Sequence, residues 1–330
     1  MHSKFYDDVI RFFARLRLVK FVYWSLYDKI CWYYYYKFKL GSKSKAKIRV
    51  LNLEFTSCCD LKCKWCILDN SRKKGFMDIN FFGRILDEII NEPRIEVEEL
   101  ALHNAGEVLL HPKFKEMLGV LGKKKQEAEM HGKKFPYILF LTNAMQLTED
   151  KIKAILECNA INFVRFSIDG GNKERFEEIR RGAKWETVLG NVQNFIRLNK
   201  ESGKNLRTGI ISIIDKDCPL DLEFRELIRE VEYMPRPPHN WDGSKDLGLM
   251  DGFGVKPKKG FCHFIFKNLA ILYDGRVVPC CADLNARGVV GDLNKESLYD
   301  VYYGEKRTEI IKKMRCGLRH EIELCKNCGL

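Results

Sequence analysis

Six strand-like apolar runs alternating with amphipathic helical stripes predict an α/β fold, a parallel sheet curled into a partial (β/α)6 barrel. Two further observations frame it: an aromatic, basic segment ahead of the first run, and a cysteine-rich stretch of short strands and turns after the last. At 330 residues the chain can bury one large core with appendages. The expected division is an N-terminal helical leader over residues 1–46, the barrel over 47–250, and a small C-terminal domain over 251–330.

The leader, most of it FYDDVIRFFARLRLVKFVYWSLYDKICWYYYYKFKL, mixes aromatic with basic residues. Its longest uncharged stretches, Phe21–Tyr27 and Ile30–Tyr36, are too short to cross a bilayer. An interfacial helix touching a membrane surface through residues 1–40 is one reading. Helices packed on the main domain are the other. GSKSKAK, residues 41–47, is a linker.

The strand-like runs are Ile48–Phe55, Val97–His103, Tyr137–Leu141, Phe163–Ile168, Gly209–Ile214 and Val231–Met234. Helical stripes fall between them. Asp78 is an N-cap candidate for Phe82, Ile85, Leu86, Ile89 and Ile90, and Thr148 precedes Ile152, Ile155 and Leu156. Trp185, Val188, Leu189, Val192, Phe195 and Ile196 mark a long helix, and Asp221 opens one with Phe224, Leu227 and Ile228. Each crossover helix returns the chain to the same edge, so the strands run parallel. Six units are two short of a closed eightfold barrel.

The net charge is +12, but the basic residues lie in short scattered groups without a nucleic-acid recognition motif, so nucleic acid is not an expected partner. The thirteen cysteines cluster: four between 58 and 66, three between 262 and 281, three between 316 and 328. No secretory pattern stands at the start, so the clusters read as metal sites in a reducing, cytoplasmic compartment, with membrane association open through the leader.

The first cluster is LNLEFTSCCDLKCKWC, in which Cys59, Cys63 and Cys66 follow the first strand. Three thiolates can hold three irons of a four-iron cluster and leave the fourth open. A structural zinc with Cys58 as fourth ligand is the alternative. The spacing C-x3-C-x2-C with Trp65 before the last cysteine resembles the cluster loop of the radical S-adenosylmethionine (radical SAM) superfamily. That resemblance implies a [4Fe-4S] cluster whose open iron binds S-adenosylmethionine (SAM), and a 5′-deoxyadenosyl radical that abstracts a substrate hydrogen. It also implies a low-potential electron donor such as flavodoxin or ferredoxin.

Other motifs match the family in order. Gly106 and Glu107, after the second strand, resemble its Gly-Glu element, which holds the methionine amino group. Thr142-Asn143 resembles its Thr-Asn-Gly turn, with Ala144 in place of glycine. Ser167 matches the ribose-contacting position and Asp169 follows it. Arg180 or Arg181 is implied for the methionine carboxylate, Trp65 for the neighbourhood of adenine, and Ile210–Ile213 for an apolar wall.

In the tail, Cys262, Gly275, Cys280 and Cys325-x2-Cys328 resemble the SPASM domain, in the reduced twitch-like form with one auxiliary [4Fe-4S] cluster. Cys262, Cys280, Cys325 and Cys328 are the expected ligands, with Cys281 and Cys316 in reserve; a zinc ribbon-like site is the alternative. PRPPHNWDG (235–243) follows the sixth strand, where substrate should approach, and offers His239 and Asp242 as catalytic proton acceptors. Cys158 and Cys218 are hydrogen-donor candidates or buried apolar residues.

Three functions compete. The favoured one is dehydrogenation or epimerisation of a small molecule such as a sugar. The others are maturation of a peptide or protein side chain, and a non-catalytic metal-binding scaffold.

Overall fold

The computed structural model describes residues 45–213, 219–246 and 256–330. Residues 1–44 of the expected leader, Cys218 and the expected domain boundary near residue 250 lie outside them. Residues Ala46–Leu330 form one compact unit. Its strands are β1 (Ala46–Leu53), β2 (Ile95–Leu102), β3 (Tyr137–Thr142), β4 (Phe163–Ser167), β5 (Arg207–Ile213), β6 (Glu232–Arg236), β7 (Asn268–Ile271), β8 (Arg276–Val278) and β9 (Gly291–Asp292).

Strands β1 to β6 pair in sequence order, all parallel, as alternation with helices requires. The sheet does not end at β1, however. Strand β7 joins it in parallel, and β8 and β9 follow antiparallel, giving the order β6-β5-β4-β3-β2-β1-β7-β8-β9. The C-terminal segment is thus built onto the edge that a six-strand reading leaves bare, which removes an exposed edge.

The strands β1 and β2 begin two residues earlier than the apolar runs suggest. Lys47 and Arg49 sit on the exposed side of β1 between the buried Ala46, Ile48 and Leu51, so charge at alternate positions belongs to the strand.

The helices are α1 (Ile79–Asn91), α2 (Phe114–Met130), α3 (Glu149–Glu157), α4 (Lys173–Ile179), α5 (Trp185–Glu201), α6 (Leu222–Glu230), α7 (Phe264–Lys267), α8 (Leu298–Tyr303) and α9 (Glu305–Arg315). Asp78 caps α1 by accepting from the Asn80 and Phe81 amides at 2.9 and 3.0 Å. The α1 and α5 stripes are buried as expected, save Ile90, which is partly buried. Thr148 and Asp221 stand at the N-caps of α3 and α6 without a side-chain cap bond; Asp221 instead accepts from the Lys173 amide at 2.9 Å, joining α6 to α4. One apolar core spans β1–β5 and the helices packed on them, and Cys158 is buried in it.

Candidate active site

The cluster loop leaves β1 through the buried run Glu54, Phe55, Thr56 and Ser57. Its ends are sewn together. The Thr56 hydroxyl donates to the Gly75 carbonyl at 2.7 Å, the Gly75 amide donates to Ser57 Oγ at 3.0 Å, and the Met77 amide donates to the Phe55 carbonyl at 2.8 Å. Beneath it Arg72 forks onto Glu54, with Nη1 at 2.9 Å from Oε2, and donates Nε to the Leu284 carbonyl at 3.0 Å. Burial pushes the Glu54 carboxyl above its ordinary value, and Arg72 offsets part of that rise.

The cysteine stretch itself hangs from the α4–α5 turn: the Lys62 amide donates to the Arg181 carbonyl at 2.9 Å and the Lys64 amide to the Ile179 carbonyl at 2.7 Å. Burial raises the Cys63 thiol, with nearby Arg180 opposing and Cys66 adding to the rise, and Glu107 and Cys63 lie near enough to Cys59 to raise its thiol further. The Leu68 amide points at Cys66 Sγ, 3.4 Å away. Burial pushes the Cys59 thiol up to about 12, so metal loading must drive off its proton.

Gly106 touches this loop from β2. A Cβ there would lie 2.3 Å from both the Thr56 and Cys58 carbonyl oxygens, so only glycine fits. Next to it, Glu107 is buried and heavily bonded: Oε1 accepts from the Thr142 hydroxyl at 2.6 Å and the Leu109 amide at 3.1 Å, and Oε2 from the Asn143 amide at 2.8 Å. Burial still raises its carboxyl to about 7. Asn143 also donates Nδ2 to Asp60 Oδ1 at 2.9 Å, linking the third strand's turn to the cluster loop. Ala144, in the place of glycine, adopts φ 62°, the left-handed conformation that the turn needs.

Ser167, Asp169 and Arg180 also come together. Arg180 donates Nε to Asp169 Oδ2 at 2.8 Å and Nη2 to Ser167 Oγ, while Asp169 Oδ1 accepts from the Ile213 amide at 2.8 Å. Trp65 packs against Ile179 and Ile213, with the Arg175 guanidinium 5.8 Å over its ring.

The four expected tail ligands lie near enough to act on one another: burial first, then Cys262, Cys280 and Cys328, pushes the Cys325 thiol up, and burial with Cys280 and Cys262 does the same to Cys328. The Ala282 and Leu330 amides each point at a sulfur, Cys280 Sγ and Cys328 Sγ, at 3.4 Å. Arg319, buried, donates Nε to the Cys325 carbonyl at 3.3 Å and Nη2 to the Cys328 carbonyl at 3.2 Å. Cys281 is hydrogen-bonded to Cys280, and Cys316 is exposed at the end of α9. Among the described residues no three His, Cys, Asp or Glu side chains converge enough to hold a single metal ion. Sulfur donors with backbone amides and a cation directed at them fit an iron–sulfur cluster.

His239 and Asp242 part company. His239 is half-buried beside Trp241, whose amide points at Nδ1 (3.3 Å), and burial pushes its imidazole down to about 4. Asp242 is buried and turned to the tail, with Oδ2 3.7 Å from Arg287 Nη1 and Oδ1 accepting from the Ser244 amide at 2.8 Å.

Several residues escape sequence reasoning. Asp60, Glu54, Arg72, Trp241 and Arg319 act through partners far along the chain, which no local pattern announces. Thr142 was visible only as half of a Thr-Asn pair.

A family model described as the radical SAM superfamily matches residues 53–224, and one described as an iron–sulfur cluster-binding domain, SPASM, matches residues 262–329. The chain is 21% identical to the S-adenosyl-L-methionine-dependent 2-deoxy-scyllo-inosamine dehydrogenase of Niallia circulans, over 85% of this chain and 92% of that one. It is 23% identical to the tungsten-containing aldehyde ferredoxin oxidoreductase cofactor-modifying protein of Pyrococcus furiosus, over 79% and 82%. Among solved structures, BtrN in complex with AdoMet and 2-DOIA superposes with a TM-score of 0.57 at 18% identity, over 85% of this chain and 92% of that one. SuiB of Streptococcus suis bound to its precursor peptide SuiA gives 0.55 at 14%, over 86% and 70%. The cofactors are accordingly a SAM-binding iron–sulfur cluster, SAM and an auxiliary iron–sulfur cluster. No helix among the described residues is long and apolar enough to cross a membrane. The chain belongs to the radical SAM superfamily, as an enzyme with a C-terminal SPASM domain.

Proposed function

We propose that this enzyme dehydrogenates or epimerises a small, sugar-like molecule, with Cys59, Cys63 and Cys66 holding the SAM-binding cluster and Cys262, Cys280, Cys325 and Cys328 one auxiliary [4Fe-4S] cluster. The observation that carries the reading is the setting of the tail cysteines: the Ala282 and Leu330 amides point at Cys280 Sγ and Cys328 Sγ at 3.4 Å, and buried Arg319 brackets the Cys325 and Cys328 carbonyls. A fully thiolate-ligated cluster has no open iron for substrate, so its use is electron transfer, as a net oxidation requires. When bound, SAM and the two clusters supply one-electron chemistry: reductive cleavage to a 5′-deoxyadenosyl radical, removal of a substrate hydrogen, and a destination for the electron left behind.

The chain's own residues bind and orient. Glu107, with a lone pair left on Oε2, offers a carboxylate to the methionine ammonium of SAM. Arg180, aligned by Asp169 and Ser167, offers its remaining N–H donors to the methionine carboxylate. Asn143 and Gly106 hold that corner in shape, and Trp65 with Ile213 gives adenine an apolar wall. His239 is neutral, and because Nδ1 accepts from the Trp241 amide its proton sits on Nε2, so the ring offers the substrate an N–H donor; taking up a proton there requires the Trp241 bond to yield Nδ1. Asp242, paired towards Arg287, positions the loop instead.

The small-molecule reading draws on the relative named as a 2-deoxy-scyllo-inosamine dehydrogenase, which spans nearly the whole chain. Peptide maturation is the second reading, favoured by the likeness to a structure holding a peptide. Anaerobic reconstitution of the wild type and Cys325→Ala tests the proposal. Wild type should carry about eight irons and the variant about four, with 5′-deoxyadenosine formed by both and oxidised product by the wild type alone. Loss of zinc in place of iron would overturn it.

A further inference from the structure

The tail cysteines lie beneath a basic surface. Between Cys325 and Cys328 the chain surfaces at Lys326 and Asn327, both exposed. Against that turn lies the run KPKK, Lys256 to Lys259, every residue of it exposed. The Lys258 amide donates to the Cys328 carbonyl at 2.9 Å. Cys262 follows Lys259 by three positions, so the two Cα atoms are within about 11 Å at the reach of an extended chain. Phe261 stacks on the buried Phe266 ring, centroids 4.7 Å apart, and pins the far end of the run. A backbone bond and a ring contact thus fix three lysines beside two of the four expected ligands.

Those lysines are not neutralised locally. Lys256, Lys258 and Lys259 make no ion pair among the described residues. On the cysteine turn, Glu323 is taken by Lys326 at 2.7 Å and lies 3.8 Å from Arg287. Glu321, exposed just before it, has no ion pair among the described residues and offsets one charge. From Lys245 to Lys259 the chain holds four lysines against Asp246 and Asp251, the second of which lies outside the described residues. All the residues outside the described ones together carry ten Lys and Arg against six Asp and no Glu, so they add positive charge and do not cancel it.

Exposed lysines by themselves are ordinary solvated charge. Lysines braced beside the ligands of a redox cluster stand where a carrier must come to exchange electrons with it. The dehydrogenation reading leaves one electron to remove: the substrate radical formed by hydrogen abstraction loses a proton and one electron to become product, and that electron reaches the auxiliary cluster. We propose that an acidic one-electron carrier protein docks on Lys256, Lys258 and Lys259 and takes this electron across the Cys325–Cys328 turn, being itself reduced by one electron. Opposite charge steers such short-lived encounters without a large apolar interface. This rests on the dehydrogenation reading and adds to it the partner and the surface it uses.

The test is stopped-flow reduction of oxidised flavodoxin, an acidic carrier, by the chemically reduced and desalted holoenzyme, followed by the flavin semiquinone. The phase due to the auxiliary cluster is the one missing from Cys325→Ala. The joint reversal Lys256→Glu, Lys258→Glu and Lys259→Glu leaves the backbone bond to Cys328 in place. It should slow that phase by about tenfold or more at unchanged iron content, and about 0.3 M salt should narrow the difference. The reversal Lys113→Glu, Lys115→Glu and Lys123→Glu, at exposed positions on and beside α2, should change it by less than about threefold. An unaltered rate in the first reversal, or equal slowing by both, overturns the assignment. So does loss of binding to phosphatidylglycerol vesicles in the first reversal with flavodoxin unaffected, which gives the run to a lipid surface. A tail holding zinc would show no such phase even in the wild type. A misplaced docking surface leaves the phase and the iron count intact, so the two failures are told apart.

Discussion

Trp241 donates its indole N–H to the backbone carbonyl of Trp65 at 2.6 Å, tying the loop after β6 to the residue before Cys66. Its neighbour Asn240 faces the other way, donating Nδ2 to the Asn327 carbonyl at 2.9 Å and accepting the Gly329 amide at 2.6 Å, on either side of Cys328. Two adjacent side chains thus span from one cysteine group to the other. Trp241 adopts φ 53°, a left-handed conformation costly for an aromatic residue and held by these bonds. Trp241→Phe keeps the ring and deletes the N–H. One net hydrogen bond is about 1 kcal/mol, so 5′-deoxyadenosine should form roughly fivefold more slowly at unchanged iron content. An unaltered rate would show that the tie is dispensable.

Gly106→Ala should strike the first cluster selectively. The new Cβ would fall 2.3 Å from two carbonyl oxygens of the cluster loop, and those are backbone atoms with no rotamer to escape into. The loop must shift, and with it Cys59. The protein should fold, keep about four auxiliary irons and lose the remainder, with no 5′-deoxyadenosine. Full iron occupancy in this variant would refute the close fit.

SAM binding should tighten as pH rises through about 7, where Glu107 ionises. The sign follows from burial, which favours the neutral acid: below that pH the methionine ammonium meets an uncharged carboxyl. The folded value lies above the unfolded one of 4.5, so the group's contribution to folding is full below pH 4.5 and is lost as pH climbs through about 7. Bound SAM opposes that loss by pairing with the carboxylate. Affinity measured from pH 6 to 8 should rise by up to about tenfold per unit below the midpoint, and Glu107→Gln should flatten the profile.

The fold was legible because period-2 and period-3.6 apolar patterns are local, and burial of one face enforces both. The first cysteine group was legible because Cys59, Cys63 and Cys66 sit within eight positions of one another on one loop. Strand β7 was not, since nothing in Asn268–Ile271 announces that it will pair with β1, some 220 residues earlier. Nor were the different surroundings of His239 and Asp242. Two residues separate them, yet one borders the barrel while the other is drawn under the tail by Arg287, whose own position the sequence leaves open.

Arg319 should set the potential of the auxiliary cluster. It is buried, and its guanidinium donates to the carbonyls of Cys325, Cys328 and Leu330, the last at 3.2 Å. Those bonds close the C-x2-C turn around a fixed positive charge that faces Cys262, Cys325 and Cys328. Reduction adds negative charge, which a neighbouring cation stabilises. Arg319→Met should therefore lower the midpoint potential, on the order of 50–100 mV for one charge several ångströms away at an effective dielectric of about 20. Arg319→Lys keeps the charge and loses the fork, so it should restore most of the potential while leaving the turn looser. Potentiometric titration followed by electron paramagnetic resonance separates the two, and a potential that does not move in Arg319→Met would assign the residue to backbone bracing alone.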